Sequence, residues 1–340
     1  MRATGLATLK DVLRPRRTIP TRRTYVDFVF GLDYLSVNAP LLQIMHQAMA
    51  SRGLSCLLVN SSSVERTVAS VRKGRLRPLV YLDLCSRPGD AFYALLEGMS
   101  AAGAATFCDP KTIGMTLKAN SHPALERAGL PLPPTVIFKR SDPDRDLTAE
   151  ELAKVGERVV IKPSFGVAGE GVVVGVAPTC EQIAKARDFN RDEDYLIQRM
   201  MKWTTCGDRP AYLRGYNVLG HRSLMWWSND RGYSPLTWND LRKYDLLGAV
   251  HLIDRVAAVT GVEYFSSEIA ITAGSGRDRF CLIDQVNDQC DIDLQAQPDR
   301  SPPEAWVRWV CQCFADFTWR KKHGLPATRE GTLHLAPDPR

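Results

Sequence analysis

The stretch VVIKPSFGVAGEGVVVGV, residues 159–176, is the most constraining part of this chain. Two apolar, β-branched runs flank a turn holding Gly166, Gly169 and Gly171, so the segment reads as two strands joined by a glycine-rich turn. Glycine tolerates positive φ and lets backbone N–H groups approach a polyphosphate closely. Lys162, at the end of the first strand, supplies a point charge for phosphate oxygens. A strand rather than a helix follows the glycines and no GK[ST] occurs, so this is not a Walker A loop. Taken alone, the segment is also readable as an exposed hairpin with an incidental lysine.

The flanking regions narrow that choice. Before the hairpin, YVDFVF (25–30), LSCLLVN (54–60), LVYLDLC (79–85) and ATFCDP (105–110) read as buried strands. Helical patterns near 39–52, 64–73 and 89–102 alternate with them, which predicts a small parallel α/β sheet. No G-x-G-x-x-G follows the first strand, so a dinucleotide fingerprint is missing. A helix over about 111–128 ends at Gly129, and TVIF (135–138) follows as a strand. Thr148 and Glu151 form a capping box before the hairpin; a helix near 179–188 and the strand DYLIQRMM (194–201) come after it. Strands at AYLRGYNV (211–218) and HRSLMWW (221–227) precede one long helix over about 238–259. Two further strands, EYFSSEIAIT (263–272) and RFCLIDQVN (279–287), then lead to a helix near 303–322 whose Trp306, Trp309 and Trp319 read as core.

On those last two strands, Glu268 faces the region of Asp284, Asn287 and Asp288. Carboxylate and amide oxygens beside nucleotide phosphates are what Mg²⁺ takes, although capping of strand ends explains any one of them singly. In this order the elements resemble the ATP-grasp superfamily, specifically its carboxylate–amine ligases of the ribosomal-protein-modifying and D-alanine-ligase type. The resemblance covers about residues 25–295. It rests on the lysine-bearing helix ending in AGLPLPPT, the IKPSFGVAGEGVVV lid, YLIQRMM, AYLRGYNVLGH, and EIAI followed by LIDQVND.

The fold class it implies is α/β (α+β): two α+β subdomains gripping ATP, preceded by a small parallel α/β domain. The expected division is a basic tail over 1–23, a pre-ATP-grasp domain over 24–110, and an N-subdomain over 111–203. A C-subdomain over 204–325 and a frayed tail over 326–340 complete it. The resemblance assigns Lys118 and Lys162 to the ATP phosphates and Ser164 to Gly171 to the closing lid. Gln198, Met200 and Met201 would frame adenine, and Asp208 would contact the ribose. Arg214 would hold the transferred phosphate and the reacting carboxylate; Glu268, Asp284 and Asn287 would hold Mg²⁺. The implied activity is ATP-dependent joining of a small-molecule or peptide carboxylate to an amine through an acyl phosphate. The alternatives are an ATP-grasp kinase acting on a hydroxyl, and a catalytically weakened ATP-binding protein.

The last alternative arises because the family ends this strand Glu-x-Asn, whereas this chain has Gln285 at the glutamate position. Strict alternation puts Gln285 and Asn287 on one face and Asp284 and Asp288 on the other. Either a bulge brings Asp284 into the site, or Asp288 serves there.

Composition excludes other classes. No apolar run approaches the ~18 residues of a membrane span, and no secretory signal is evident, so a cytoplasmic protein is expected. The net charge of +6 lies entirely within residues 1–23, which hold seven basic side chains and one acid, Asp11. A solvated tail explains it better than a nucleic-acid interface, so no nucleic-acid partner is expected. The nine cysteines form no C-x-x-C pair and read as buried free thiols. The resemblance allows a homo-oligomer, since related folds are often dimeric or tetrameric.

Overall fold

The computed structural model describes residues 23–33, 39–87, 89–107, 110–166, 169–209, 212–228, 231–294, 301–326 and 331–338; the basic segment 1–22 lies outside them. The first strand–helix alternation builds a wholly parallel sheet from β1 (Thr24–Gly31), β2 (Cys56–Val59), β3 (Leu76–Asp83) and β4 (Ala105–Thr106), in the order β2-β1-β3-β4. Helices α1 (Ala39–Ser51), α2 (Val64–Arg72) and α3 (Ala91–Ala101) make the crossovers. Helices α2 and α3 cover one face through Val68, Leu95 and Met99, while α1 covers the other through Leu41 and Met45. Burial on both faces is why these strands read as continuous apolar runs.

The helix expected over 111–128 is broken. A single 3₁₀ turn, Ile113–Thr116, precedes α4 (Lys118–Arg127), and Leu117 between them is extended. That break lets the first amides of α4 reach Ser164 of the lysine-bearing hairpin: Lys118 N–H donates to the Ser164 carbonyl and Ala119 N–H to its Oγ, both at 3.0 Å. Helix starts need such acceptors, and here another element supplies them. The hairpin belongs to an antiparallel sheet of β5 (Thr135–Phe138), β6 (Val159–Pro163), β7 (Val173–Val176) and β8 (Tyr195–Arg199), ordered β5-β8-β6-β7. Helices α5 (Ala149–Val155), with the Thr148–Glu151 capping box, and α6 (Cys180–Arg187) accompany this sheet.

The third sheet contains β9 (Tyr212–Val218), β10 (His221–Ser228), β11 (Gly232–Pro235), β12 (Tyr264–Ile271) and β13 (Phe280–Asn287), ordered β11-β10-β9-β12-β13. The helix expected over 238–259 is two, α7 (Trp238–Lys243) and α8 (Leu247–Thr260), separated at Asp245, whose φ of 47° ends the first. The expected frayed end also needs correction. Strand β14 (Leu333–His334) pairs in parallel with β10, Leu335 is buried, and Asp338 accepts from Asn239 N–H.

Strand alternation gives this sheet two distinct faces. The back face carries Leu213, Leu224, Trp226, Ile269 and Leu282 against α8 and α4. On the front face, Val218 and Tyr264 pack with α9 (Glu304–Lys322), which fills the space between this sheet and the first. Phe314 of α9 touches Phe28 of β1 at 6.1 Å and Tyr264 of β12 at 5.0 Å between ring centroids, so one helix cements the two domains.

Gly215 marks a close approach of α8 to the back face: a Cβ there would lie 2.7 Å from Ile253 and 3.3 Å from Leu224. We predict that Gly215→Ala costs about 1–3 kcal/mol in urea unfolding through overpacking. Unchanged stability would show that the helix has room to withdraw.

Candidate active site

The other end of the front face is polar. Register places Arg214 of β9 beside Glu268 of β12, and Glu268 beside Asp284 of β13. The pairing of β12 with β13 is irregular on both sides of Glu268: Ile269 pairs with Leu282, Glu268 with Asp284, and Ser266 with Asn287. Each step consumes one extra residue of β13, as in a β-bulge. Asp284 and Asn287 thereby come to the face that carries Glu268, and Gln285 is sent to the back. There Gln285 is fully buried, with its amide Nε2 3.3 Å from His122 Nδ1 of α4. Asp284, not Asp288, therefore meets Glu268.

Two lysines converge on Asp284 from separate elements. Lys118, first residue of α4, brings Nζ to 3.6 Å from Asp284 Oδ1 and donates to the Gly166 carbonyl at 3.3 Å. Lys162, at the end of β6, brings Nζ to 4.0 Å from the same oxygen and donates to the Ile283 carbonyl at 2.7 Å. Arg214 binds Glu268 Oε1 at 2.9 Å, and its guanidinium stacks on Trp227 at 4.8 Å. The site thus holds three cations against two carboxylates, an excess suited to an anionic ligand.

Burial acts on each group. It pushes the Lys162 ammonium down to about 8, with Asp284 opposing and Lys118 reinforcing the shift. Burial alone would raise Asp284, but Lys118, Lys162 and Arg214 outweigh it and hold the carboxyl below its ordinary value. Burial raises Glu268 against the pull of Arg214. For Arg214, the Glu268 carboxylate overcomes the burial penalty, and the guanidinium stays charged.

The remaining expected residues have the following surroundings. Ser164 is engaged with the start of α4 and its own N–H donates to the Asp194 carbonyl at 2.7 Å. Gly169 and Gly171 have φ of 78° and 69°, and the Phe189 ring lies where a Gly171 side chain would be. Gln198 turns into the sheet and donates to Thr135 Oγ1 at 3.1 Å; Met200 N–H is taken by the Arg158 carbonyl, and Met200 and Met201 stay partly open beside β7 and β8. Asp208 lies on an exposed loop and makes no hydrogen bond or ion pair to Arg214 or the lysines among the described residues. Two other acids near the sheet have structural work: Asp240 accepts from the Trp226 indole at 3.2 Å, and Asp245 pairs with Arg279 at 3.1 Å. The Trp227 stack and the Gln285–His122 contact were not legible beforehand, because each joins residues distant in sequence.

The donor set fits Mg²⁺ of the kind that leans on one or two carboxylates and substrate phosphates. Asp284 Oδ1 has no hydrogen-bond partner, and 24% of its side chain is open. No cluster of three acidic, histidine or cysteine ligands occurs among the described residues.

If the charge of Lys162 draws phosphate, metal-free ADP affinity should be flat below about pH 8 and fall above it, by up to about tenfold per unit. Binding of the ligand favours protonated Lys162, so the loss begins at the free protein's value and not near pH 10.5. Titration calorimetry of Lys162→Met should give weak binding without that break; a break retained in the variant would assign it elsewhere.

No family model and no curated protein sequence matches the chain. Solved structures do. A RimK-domain ATP-grasp protein from Sphaerobacter thermophilus aligns with a TM-score of 0.61 at 16% identity, covering 85% of this chain and 98% of its own. D-alanine–D-alanine ligase from Bacillus anthracis, complexed with ATP, aligns with a TM-score of 0.60 at 13% identity, covering 87% and 99%. The ATP-grasp ligase PsnB, complexed with a minimal precursor, Mg and ADP, aligns with a TM-score of 0.55 at 15% identity, covering 87% and 98%. Together with the three sheets and their order, these likenesses establish that the chain has the fold of the ATP-grasp carboxylate–amine ligases, preceded by an α/β domain.

Proposed function

We propose that this protein is an ATP-dependent ligase that joins a carboxylate to an amine through an acyl phosphate, with release of ADP and phosphate. The observation that carries the reading is the convergence of Lys118, Lys162 and Arg214, from three separate elements, on Glu268 and Asp284 at one end of one sheet face. The solved relatives support it, since they include structures complexed with ATP, or with ADP, Mg and a precursor.

A carboxylate is a poor acyl donor because its leaving group would be oxide. Phosphorylation supplies a competent leaving group, and the protein's task becomes positioning and charge neutralisation. Lys118 and Lys162 attract the nucleotide phosphates. Arg214, held by Glu268 and Trp227, offers its remaining N–H groups to the reacting carboxylate and to the phosphoryl oxygens. The glycine turn closes over the phosphates and excludes water from the activated acyl group. Glu268 and Asp284, with Asn287 opposite Ser266, would hold Mg²⁺, which when bound neutralises charge on the phosphates.

The burial of Gln285 also bears on the weakened-protein alternative. The residue that motivated it contributes to packing, and Asp284 takes the place facing Glu268. The soluble partners on this reading are a small-molecule or peptide acid and an amine; no helix is long and apolar enough to cross a membrane among the described residues.

Millimolar Mg·ATP should raise the melting temperature of the native protein by mass action and leave Lys162→Ala unshifted. With pooled amino acids and short peptides, ADP release should accompany a new amide detected by mass spectrometry. A phosphorylated alcohol in place of the amide would establish the kinase, and a thermal shift without turnover the catalytically weakened ATP-binding protein. Arg214→Lys, which loses the planar fork, should lower kcat/KM at least about 10²-fold; near-native turnover would remove Arg214 from the reaction.

A further inference from the structure

The neighbours of Arg214 on the front face of the third sheet divide by burial. Across the strands it pairs with Glu268 of β12 and Met225 of β10, and along β9 it is flanked by Tyr212 and Tyr216. Glu268 leads on to Asp284 and the two lysines. Met225 and Tyr216 are closed off in the core beside α9. Tyr212 is half-buried, and it belongs to a row of rings. Trp227 pairs with it across the strands and meets it edge-on, with centroids 6.3 Å apart. Trp203, from the segment after β8, packs on Tyr212 at 4.8 Å with its plane tilted by 55°.

Core packing does not account for this row. Trp226, one residue before Trp227, turns to the back face and is fully buried, whereas Trp227 is half-buried and Trp203 is 41% exposed. A single exposed ring is ordinary on a protein surface. Here three adjoin, and the row ends on Arg214, whose guanidinium lies over Trp227 at 4.8 Å. The outermost ring is also held in place, since Thr204 N–H donates to the Ile271 carbonyl at the end of β12 at 2.8 Å.

On the ligase reading, Arg214 holds the reacting carboxylate and the phosphoryl group arrives from the lysine side. Met225 and Tyr216 close the opposite direction, so the body of the acid leaves Arg214 across Tyr212 towards Trp203. Charge narrows what that body is. Three cations against two carboxylates repel a cationic side chain, and the negative faces of the rings disfavour an anionic one. A planar apolar group gains from both the burial of area and the ring–ring geometry. We propose that Trp203, Tyr212 and Trp227 form a specificity shelf for the acid substrate, and that this acid carries an aromatic side chain. The proposal rests on the ligase reading and names the substrate class of the same site.

The test needs no knowledge of the amine. Hydroxylamine traps the acyl phosphate: its nitrogen attacks the acyl carbon, phosphate leaves, and the hydroxamate is measured. With Mg·ATP, kcat/KM for N-acetylphenylalanine or N-acetyltryptophan should exceed that for N-acetylalanine and Nα-acetyllysine at least about tenfold. Trp203→Ala should reduce that ratio to about threefold or less, with KM for ATP within about twofold of native. Trp203→Phe, which keeps a ring, should retain most of the preference; should the alanine variant not fold, Trp203→Leu against Trp203→Phe carries the same comparison. A native protein that makes hydroxamate equally well or better from the small or cationic acids would overturn the assignment. So would a ratio unchanged in Trp203→Ala, and a raised KM for ATP with the ratio intact would give the ring to the nucleotide instead. If no acid yields hydroxamate and ADP, the ligase reading itself fails and takes this inference with it.

Discussion

The contact between Asp284 and the two lysines organises this molecule. Among the described residues, Asp284 is the one carboxylate within ion-pair reach of both Lys118 and Lys162, at 3.6 and 4.0 Å, and it faces Glu268 across the β12–β13 pair. Two like charges brought together in a buried site repel, and each also loses hydration. Asp284 offsets both costs and is itself kept ionised by them. The arrangement depends on backbone geometry: without the extra residues in β13, strand alternation would turn Asp284 away and leave an amide in its place. Irregular pairing in a buried strand costs hydrogen bonds, and here it coincides with the cluster of Lys118, Lys162, Arg214, Glu268 and Asp284.

The surrounding architecture holds the three sheets to that point. Ser164 caps α4 from the neighbouring hairpin, which links the positions of Lys118 and Lys162 before either meets β13. Gln285 and His122 then join α4 to the back of β13. Burial lowers His122 to about 4, so this contact is between neutral groups at ordinary pH and adds no charge beneath the site. On the opposite side, α9 binds the first domain to the third sheet through Phe314, and Tyr216 packs at a tilt against Trp306, ring centroids 4.4 Å apart. The lead-in domain is thereby fixed against the face on which Arg214 lies.

Much of this was legible in the sequence because it rests on local periodicity. The parallel first sheet, the hairpin with Lys162 and the paired strands with Glu268 and Asp284 each follow from apolar runs and their punctuation. What the sequence withheld depends on contacts between distant residues. A bulge is a property of two strands together, so Asp284 and Asp288 stayed open as alternatives until the register of β12 was known. The break at Leu117 follows from the need of α4 for Ser164, 47 positions away from it, and not from a helix-breaking residue. Likewise β14 exists only because β10 offers it a free edge; as an isolated segment it has two paired residues and no reason to be ordered.

The account stands on Asp284, and not Gln285, being the carboxylate-side partner of Glu268. The most direct measurement is the affinity for ADP by titration calorimetry with and without Mg²⁺, in the native protein, Asp284→Asn and Gln285→Ala. The account predicts that Mg²⁺ strengthens ADP binding in the native protein, that Asp284→Asn abolishes this gain, and that Gln285→Ala keeps it while lowering stability. Retention of the full Mg²⁺ effect in Asp284→Asn, with its loss in Gln285→Ala, would contradict the central claim.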